Sequence, residues 1–143
     1  MNPASGWKLA GAAFVALVTA PFAGTAQQSP EVPVMVGDND VVDLPACGLG
    51  MVSGLNPQGD NFLAVRSGPG TSYAQIDSLN EGDVIFLCDA NGRWVSIVYQ
   101  PGYTLESAPS NCGATSPISP RQAYSGPCRS GWVYDGYVTF LAG

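Results

Sequence analysis

The sequence predicts an all-β fold. Short runs rich in Val, Ile, Phe, Tyr and Trp follow one another at close spacing from residue 48 onward. Clusters of Gly, Pro, Asn and Asp separate them. Beyond residue 26 no stretch carries a convincing helical stripe. Short strands with Gly/Pro turns at this spacing indicate a small barrel or sandwich.

The first 26 residues stand apart from that pattern. One early cation, Lys8, precedes an apolar run from Leu9 to Ala23, then the small residues Gly24-Thr25-Ala26 and the polar pair Gln27-Gln28. A positive start, a short apolar core and a small-residue exit read as a secretory signal peptide spanning 1–26, cleaved after Ala26. An uncleaved anchor would want about 20 apolar residues and a cationic stop behind them. The expected destination is therefore outside the cytoplasm, periplasmic or secreted, with no membrane span after cleavage. No cysteine near the exit offers a lipid attachment point.

Residues 27–143 number 117, which suits one domain. They contain no lysine; four arginines (Arg66, Arg93, Arg121, Arg129) face eleven acids, for a net charge of −7. Such a chain repels nucleic acid and anionic membrane surfaces and tolerates cationic partners.

Residues 27–46 contain Pro, Val and Asp without periodicity and read as a flexible lead-in. Asp38, Asp40 and Asp43 miss the glycine and distal glutamate of a calcium loop, so a solvated acidic linker is expected. Met51 to Leu55 is the first predicted strand, followed by the dense turn Asn56-Pro57-Gln58-Gly59-Asp60-Asn61. Phe62 to Arg66 is the second, and Ser67-Gly68-Pro69-Gly70 turns it. Asp83 to Cys88 is the most hydrophobic strand, and Asp89-Ala90-Asn91-Gly92 ends it with Asn-Gly, a strong hairpin signal. Arg93 to Tyr99 alternates, with Trp94, Ser96 and Val98 on one face and Val95, Ile97 and Tyr99 on the other. Gly131 to Tyr134 and Val138 to Leu141 complete the set.

Four cysteines, Cys47, Cys88, Cys112 and Cys128, in a chain bound for an oxidising space imply two disulfides, with three possible pairings. Zinc is not expected, because there is no Cys-x-x-Cys pair and no histidine.

The stretch Leu63-Ala64-Val65-Arg66-Ser67-Gly68-Pro69-Gly70-Thr71-Ser72-Tyr73 resembles the opening of bacterial Src-homology-3 (SH3b) domains. In the order that family shows come Leu79 and Gly82, a hydrophobic strand, Gly92, Trp94, Gly131-Trp132-Val133, Tyr137 and a last apolar strand. The match covers about Gly50 to Leu141. It implies an SH3-like half-open barrel of five to six strands, with the domain at 47–143.

The departure from the family is a long insertion at about 100–130, where a short hairpin turn is usual. It holds five prolines together with Cys112 and Cys128. An unpatterned loop of that length is uncommon unless tied down or functional. A Cys112–Cys128 bridge would tie it, worth about 3 kcal/mol in the chain-entropy model. Cys47 would then pair with Cys88, stapling the lead-in to a strand.

Catalytic chemistry has little to work with. Without histidine, Ser-His-Asp and Cys-His machinery cannot form within the chain. Without lysine past the leader, Ser-Lys dyads and Schiff bases are also excluded there. Carboxylate pairs are the remaining option, and the candidates Asp60, Asp83, Asp89 and Glu106 read as acids of turns and strand starts. The expectation is a non-enzyme with no cofactor.

Binding is what remains. The resemblance places Trp94 and Tyr137 at positions like those of groove aromatics, with Tyr73 and Tyr134 able to extend the surface; packing in the barrel core is the alternative for Trp94 and Tyr137. Trp132 reads as core, and Arg66 as a strand-end residue holding a turn carbonyl or acid. The resemblance further implies an envelope-binding module for peptidoglycan peptides or another exported protein. The alternative is an interaction or inhibitor module acting through the cysteine-tied insertion; a small carboxylate hydrolase is a third.

Overall fold

The strands form where β-branched and aromatic residues cluster, and Gly-containing turns separate them. A computed structural model describes residues 11–17, 28–40, 43–107 and 112–143. The expected leader exit and its cleavage point lie outside the described residues. Among those described, no helix is long and apolar enough to cross a membrane.

Among the described residues there are nine strands: β1 (Met35–Val36), β2 (Gly48–Val52), β3 (Leu63–Arg66), β4 (Gln75–Leu79), β5 (Val84–Asn91), β6 (Trp94–Tyr99), β7 (Gln122–Ala123), β8 (Arg129–Tyr134) and β9 (Val138–Ala142). A 3-10 turn, Asp135–Tyr137, sits between β8 and β9. The fold is all-β, as expected. Seven strands form one antiparallel sheet in the order β4-β3-β8-β6-β5-β2-β9, and β1 pairs with β7 in a second, two-stranded sheet. Among the described residues no closed barrel forms: β4 and β9 end the larger sheet's ladder.

The strand count exceeds the expected five to six for a local reason. In β4 only Leu79 is buried, while Gln75, Ile76 and Ser78 are exposed, so its sequence lacks an apolar run. Pairing with β3 at Leu63↔Leu79 recruits it. Strand β2 begins at Gly48 rather than Met51. A Cβ on Gly50 would come within 2.9 Å of the Leu87 side chain, so the glycine admits close packing on β5.

The β5–β6 hairpin closes at Asn91↔Trp94, with Gly92 at φ +60° as the first of two turn residues. Glycine there allows a tight turn that matches strand twist. The alternation of β6 is as expected. Val95, Ile97 and Tyr99 belong to an inner cluster with Val52, Leu63, Val65, Leu79, Ile85 and Val133. Trp94 and Val98 face a separate, outer cluster with Phe86, Trp132, Val34, Val36, Cys112 and Ala114. Both faces of β5 are therefore covered, which is why Val84-Ile85-Phe86-Leu87-Cys88 is an unbroken apolar run.

The outer cover comes from two segments that sequence reading sets aside as loops. Residues 28–40, expected to be a flexible lead-in, are tied to the sheet. Val34 and Val36 are buried at 4% and 2% exposure. Val32 N–H donates to Ser67 O (2.8 Å), and the Trp132 indole N–H donates to Val32 O (3.0 Å). A segment read without its partners lacks periodicity because its burial alternates only over Val32, Val34 and Val36.

The insertion supplies the other half of the cover. Cys112 and Ala114 are buried, and Ile118 and Tyr124 pack against the outer cluster. Its backbone bonds to the lead-in through Asp38 N–H to Ile118 O and Cys47 N–H to Ala114 O. Gly37 makes that approach possible: it takes φ +84°, and a Cβ there would lie 2.3 Å from Ile118 O. The disulfides are Cys47–Cys88 and Cys112–Cys128, the expected pairs. Cys88 falls where the β5–β6 register shifts between Leu87 and Asp89. Two disulfides fit an oxidising, extracytoplasmic space.

Candidate functional site

A groove of about 790 Å³ opens at one end of the large sheet. Three aromatic residues form its wall. Trp94 starts β6 and Tyr134 ends β8, and the two are direct cross-strand partners. Their rings meet edge to face, 5.8 Å apart at 71°. Tyr137 follows from the 3-10 turn, its ring 6.1 Å from Tyr134 and tilted by 56°. Cross-strand geometry explains the first pair, since opposed side chains on one face sit about 5 Å apart at Cβ.

The turn that presents Tyr137 is held at both ends. Arg93 Nε donates to Asp135 Oδ1 at 2.8 Å, and Asp135 N–H donates to Arg93 O at 2.9 Å. The Arg93 guanidinium also lies 5.3 Å from the centre of the Tyr134 ring. On the far side, Ser53 N–H donates to Tyr137 O, anchoring the turn to the end of β2.

The opposite wall comes from the β2–β3 connection and β3, through Leu55, Asp60, Phe62 and Arg66. Phe62, Tyr134 and Tyr137 stay exposed at 40%, 37% and 41%. Arg66 is partly buried and its Nη1 donates to Tyr73 O at 2.9 Å, so it holds a turn carbonyl.

Of the four expected groove aromatics, Trp94, Tyr134 and Tyr137 line this groove and Tyr73 does not. Tyr73 lies over the turn that precedes it: a Cβ on Gly68 would stand 2.2 Å from its ring. The ring uses the missing side chain of Gly68 as its seat, so it packs on its own turn. Trp132 is core, with 5% exposure and its indole donor satisfied by Val32. Leu55, Phe62 and Asp60 belong to the groove without having been singled out for it. Leu55 and Phe62 flank a turn-rich connection, and apolar residues beside a turn are the one signal the sequence offers for them.

The carboxylates do not gather. Asp60 lines the groove. Asp83 is buried and accepts the Asn80 N–H at 2.8 Å, closing a turn. Asp89 is ion-paired with Arg121, and Glu106 lies exposed in a separate loop. Among the described residues no three His, Cys, Asp or Glu side chains stand together as metal ligands.

A second polar cluster lies away from the groove. Tyr99 O–H donates to Asp77 Oδ2 at 3.0 Å, and Arg129 Nη1 donates to the same oxygen at 2.8 Å. Burial pushes the Asp77 carboxyl up, but the Ser78 N–H, Arg129 and Tyr99 together hold it below its ordinary value. Burial, and then the Asp77 carboxylate, push the Tyr99 phenol well above its ordinary value. This cluster joins β4, β6 and β8 through one shared carboxylate oxygen, which gives it a structural role. Comparison with family models, with curated proteins and with solved structures finds no match to this chain.

Proposed function

We propose that this chain is an exported, non-catalytic binding module of the bacterial Src-homology-3-like kind, whose Trp94–Tyr134–Tyr137 groove takes an extended cell-envelope peptide. One observation carries the proposal: three large rings converge on an open groove, Tyr134 and Tyr137 exposed and Trp94 only partly packed against the outer cluster. Rigid aromatic side chains bury much area on binding and lose little entropy. The Ser-Gly-Pro-Gly and Gly-Trp-Val motifs support the family assignment, and the want of histidine, and of lysine within residues 27–143, supports a non-catalytic role. The insertion as a contact loop has less support, because Cys112, Ala114, Ile118 and Tyr124 face inward.

The test is retention on purified peptidoglycan. The wild-type protein should be pulled down, and Tyr137→Ala, at an exposed position, should lose most of the retention with an unchanged circular dichroism spectrum. Equal retention of both proteins, or none of the wild type, would overturn the assignment.

A further inference from the structure

We propose that the groove's occupant presents an ammonium group, seated against the aromatic wall with Asp60 as its counter-charge. The inference rests on the groove reading above and names the chemistry of the peptide it takes.

Ring geometry comes first. At 71° and 56° to their neighbour, Trp94 and Tyr137 stand as angled walls around Tyr134 rather than as a stack. Rings that are not stacked face on face keep electron-rich faces for other partners, and such a face suits a cation. The protein already uses one of these faces this way, since the Arg93 guanidinium lies over Tyr134.

Charge comes second. Three arginines are paired with acids: Arg93 with Asp135, Arg121 with Asp89, and Arg129 with Asp77. The fourth, Arg66, holds the Tyr73 carbonyl. Residues 27–143 contain no lysine. Asp60, in the groove, has no ion-pair partner among the described residues. A site of aromatic faces and one unpaired carboxylate, in a strongly acidic chain, is complementary to a positive ligand.

Arg66 fixes which end of the groove takes the charge. It pairs in register with Trp132, two residues before Tyr134 on β8. Two residues along a strand is roughly 7 Å. The ligand's cation therefore sits at the Tyr137 end, away from Arg66. A primary amine on an extended peptide is the simplest group that fits, being compact and carrying three donors for one carboxylate.

The experiment titrates the isotope-labelled full chain with three blocked pentapeptides, Gly-Gly-X-Gly-Gly, where X is lysine, norleucine or glutamate. The Trp94 indole signal reports on the groove and the Trp132 indole signal on the core. The lysine peptide should shift Trp94 and bind at least about tenfold tighter than the norleucine peptide. Asp60→Asn, at an exposed loop position, should cut that ratio to about twofold or less. Equal or tighter binding of norleucine or glutamate, or an unchanged ratio in Asp60→Asn, overturns the ammonium assignment and leaves the groove standing. No shift at Trp94 with any of the three at millimolar concentration overturns the groove itself.

Discussion

The Tyr99–Asp77 bond makes a sharp prediction about alkaline stability. Tyr99 is 1% exposed, and its hydroxyl reaches the Asp77 carboxylate across from β6 to β4. Tyr99→Phe removes one hydrogen bond to a charged acceptor, while Asp77 keeps Arg129 and the Ser78 N–H. The cost at pH 7 should be about 1.5 kcal/mol. The phenol's ordinary value is 10.0, and in the folded chain it lies well above that, first because of burial and then because of Asp77. A raised folded value stabilises fully below pH 10, and that contribution is lost as pH climbs toward the folded value. Between those limits the unfolded chain releases the proton and the folded chain does not, at about 1.4 kcal/mol per pH unit. The advantage of the wild type over Tyr99→Phe should therefore hold from pH 7 to 9, shrink above pH 10 and vanish near about pH 11. Urea unfolding of both proteins at half-unit pH steps measures it directly, and the difference between the two cancels the other tyrosines. A gap that stays constant to pH 11.5 would refute the argument, as would a variant as stable as the wild type at pH 7.

Other perturbations probe the cover and the sheet. Trp132→Phe keeps most of the packing but removes the donor to Val32 O, and should cost about 1–2 kcal/mol in urea unfolding; amide exchange at Val32 should accelerate more than exchange at Ile97. Gly131→Ala would place a Cβ 2.4 Å from Val65 Cγ1 and 3.0 Å from Arg66 O, so overpacking should cost about 1–3 kcal/mol by the same measurement. Replacing both Cys112 and Cys128 by serine opens a link across 16 positions and should lower stability by about 3 kcal/mol. A loss much smaller than that would mean that the inward-facing insertion residues hold the cover without the bridge.

How much of this was legible depends on the kind of information each feature needs. The Trp94–Tyr99 alternation names two faces directly, because side chains on a strand point to opposite sides in turn. The Asn91-Gly92 turn is legible for the same local reason. Strand β4 is not, since its place comes from pairing with β3 and not from an apolar pattern of its own. Tyr73 misleads because its distance in sequence from Gly68 is short enough to let it fold back onto that glycine. Phe62 and Leu55 are ambiguous alone: an exposed apolar residue beside a turn, such as Phe62, is common on any protein surface, and a half-buried one, such as Leu55, reads as core.

By itself, then, the sequence determined the all-β class, most strand positions and the two faces of β6, and limited the four cysteines to three pairings. Those properties follow from local periodicity, turn chemistry and residue inventory. Only the tertiary structure decided what covers each face. Trp132 meets Val32 from 100 positions away, and the lead-in and insertion close over Phe86 and Val98 together. The groove is likewise a tertiary object, assembled from the β2–β3 connection, β3, the start of β6 and the turn after β8. Alternation announces that a face must be buried, but the segment that buries it is chosen by packing between distant parts of the chain.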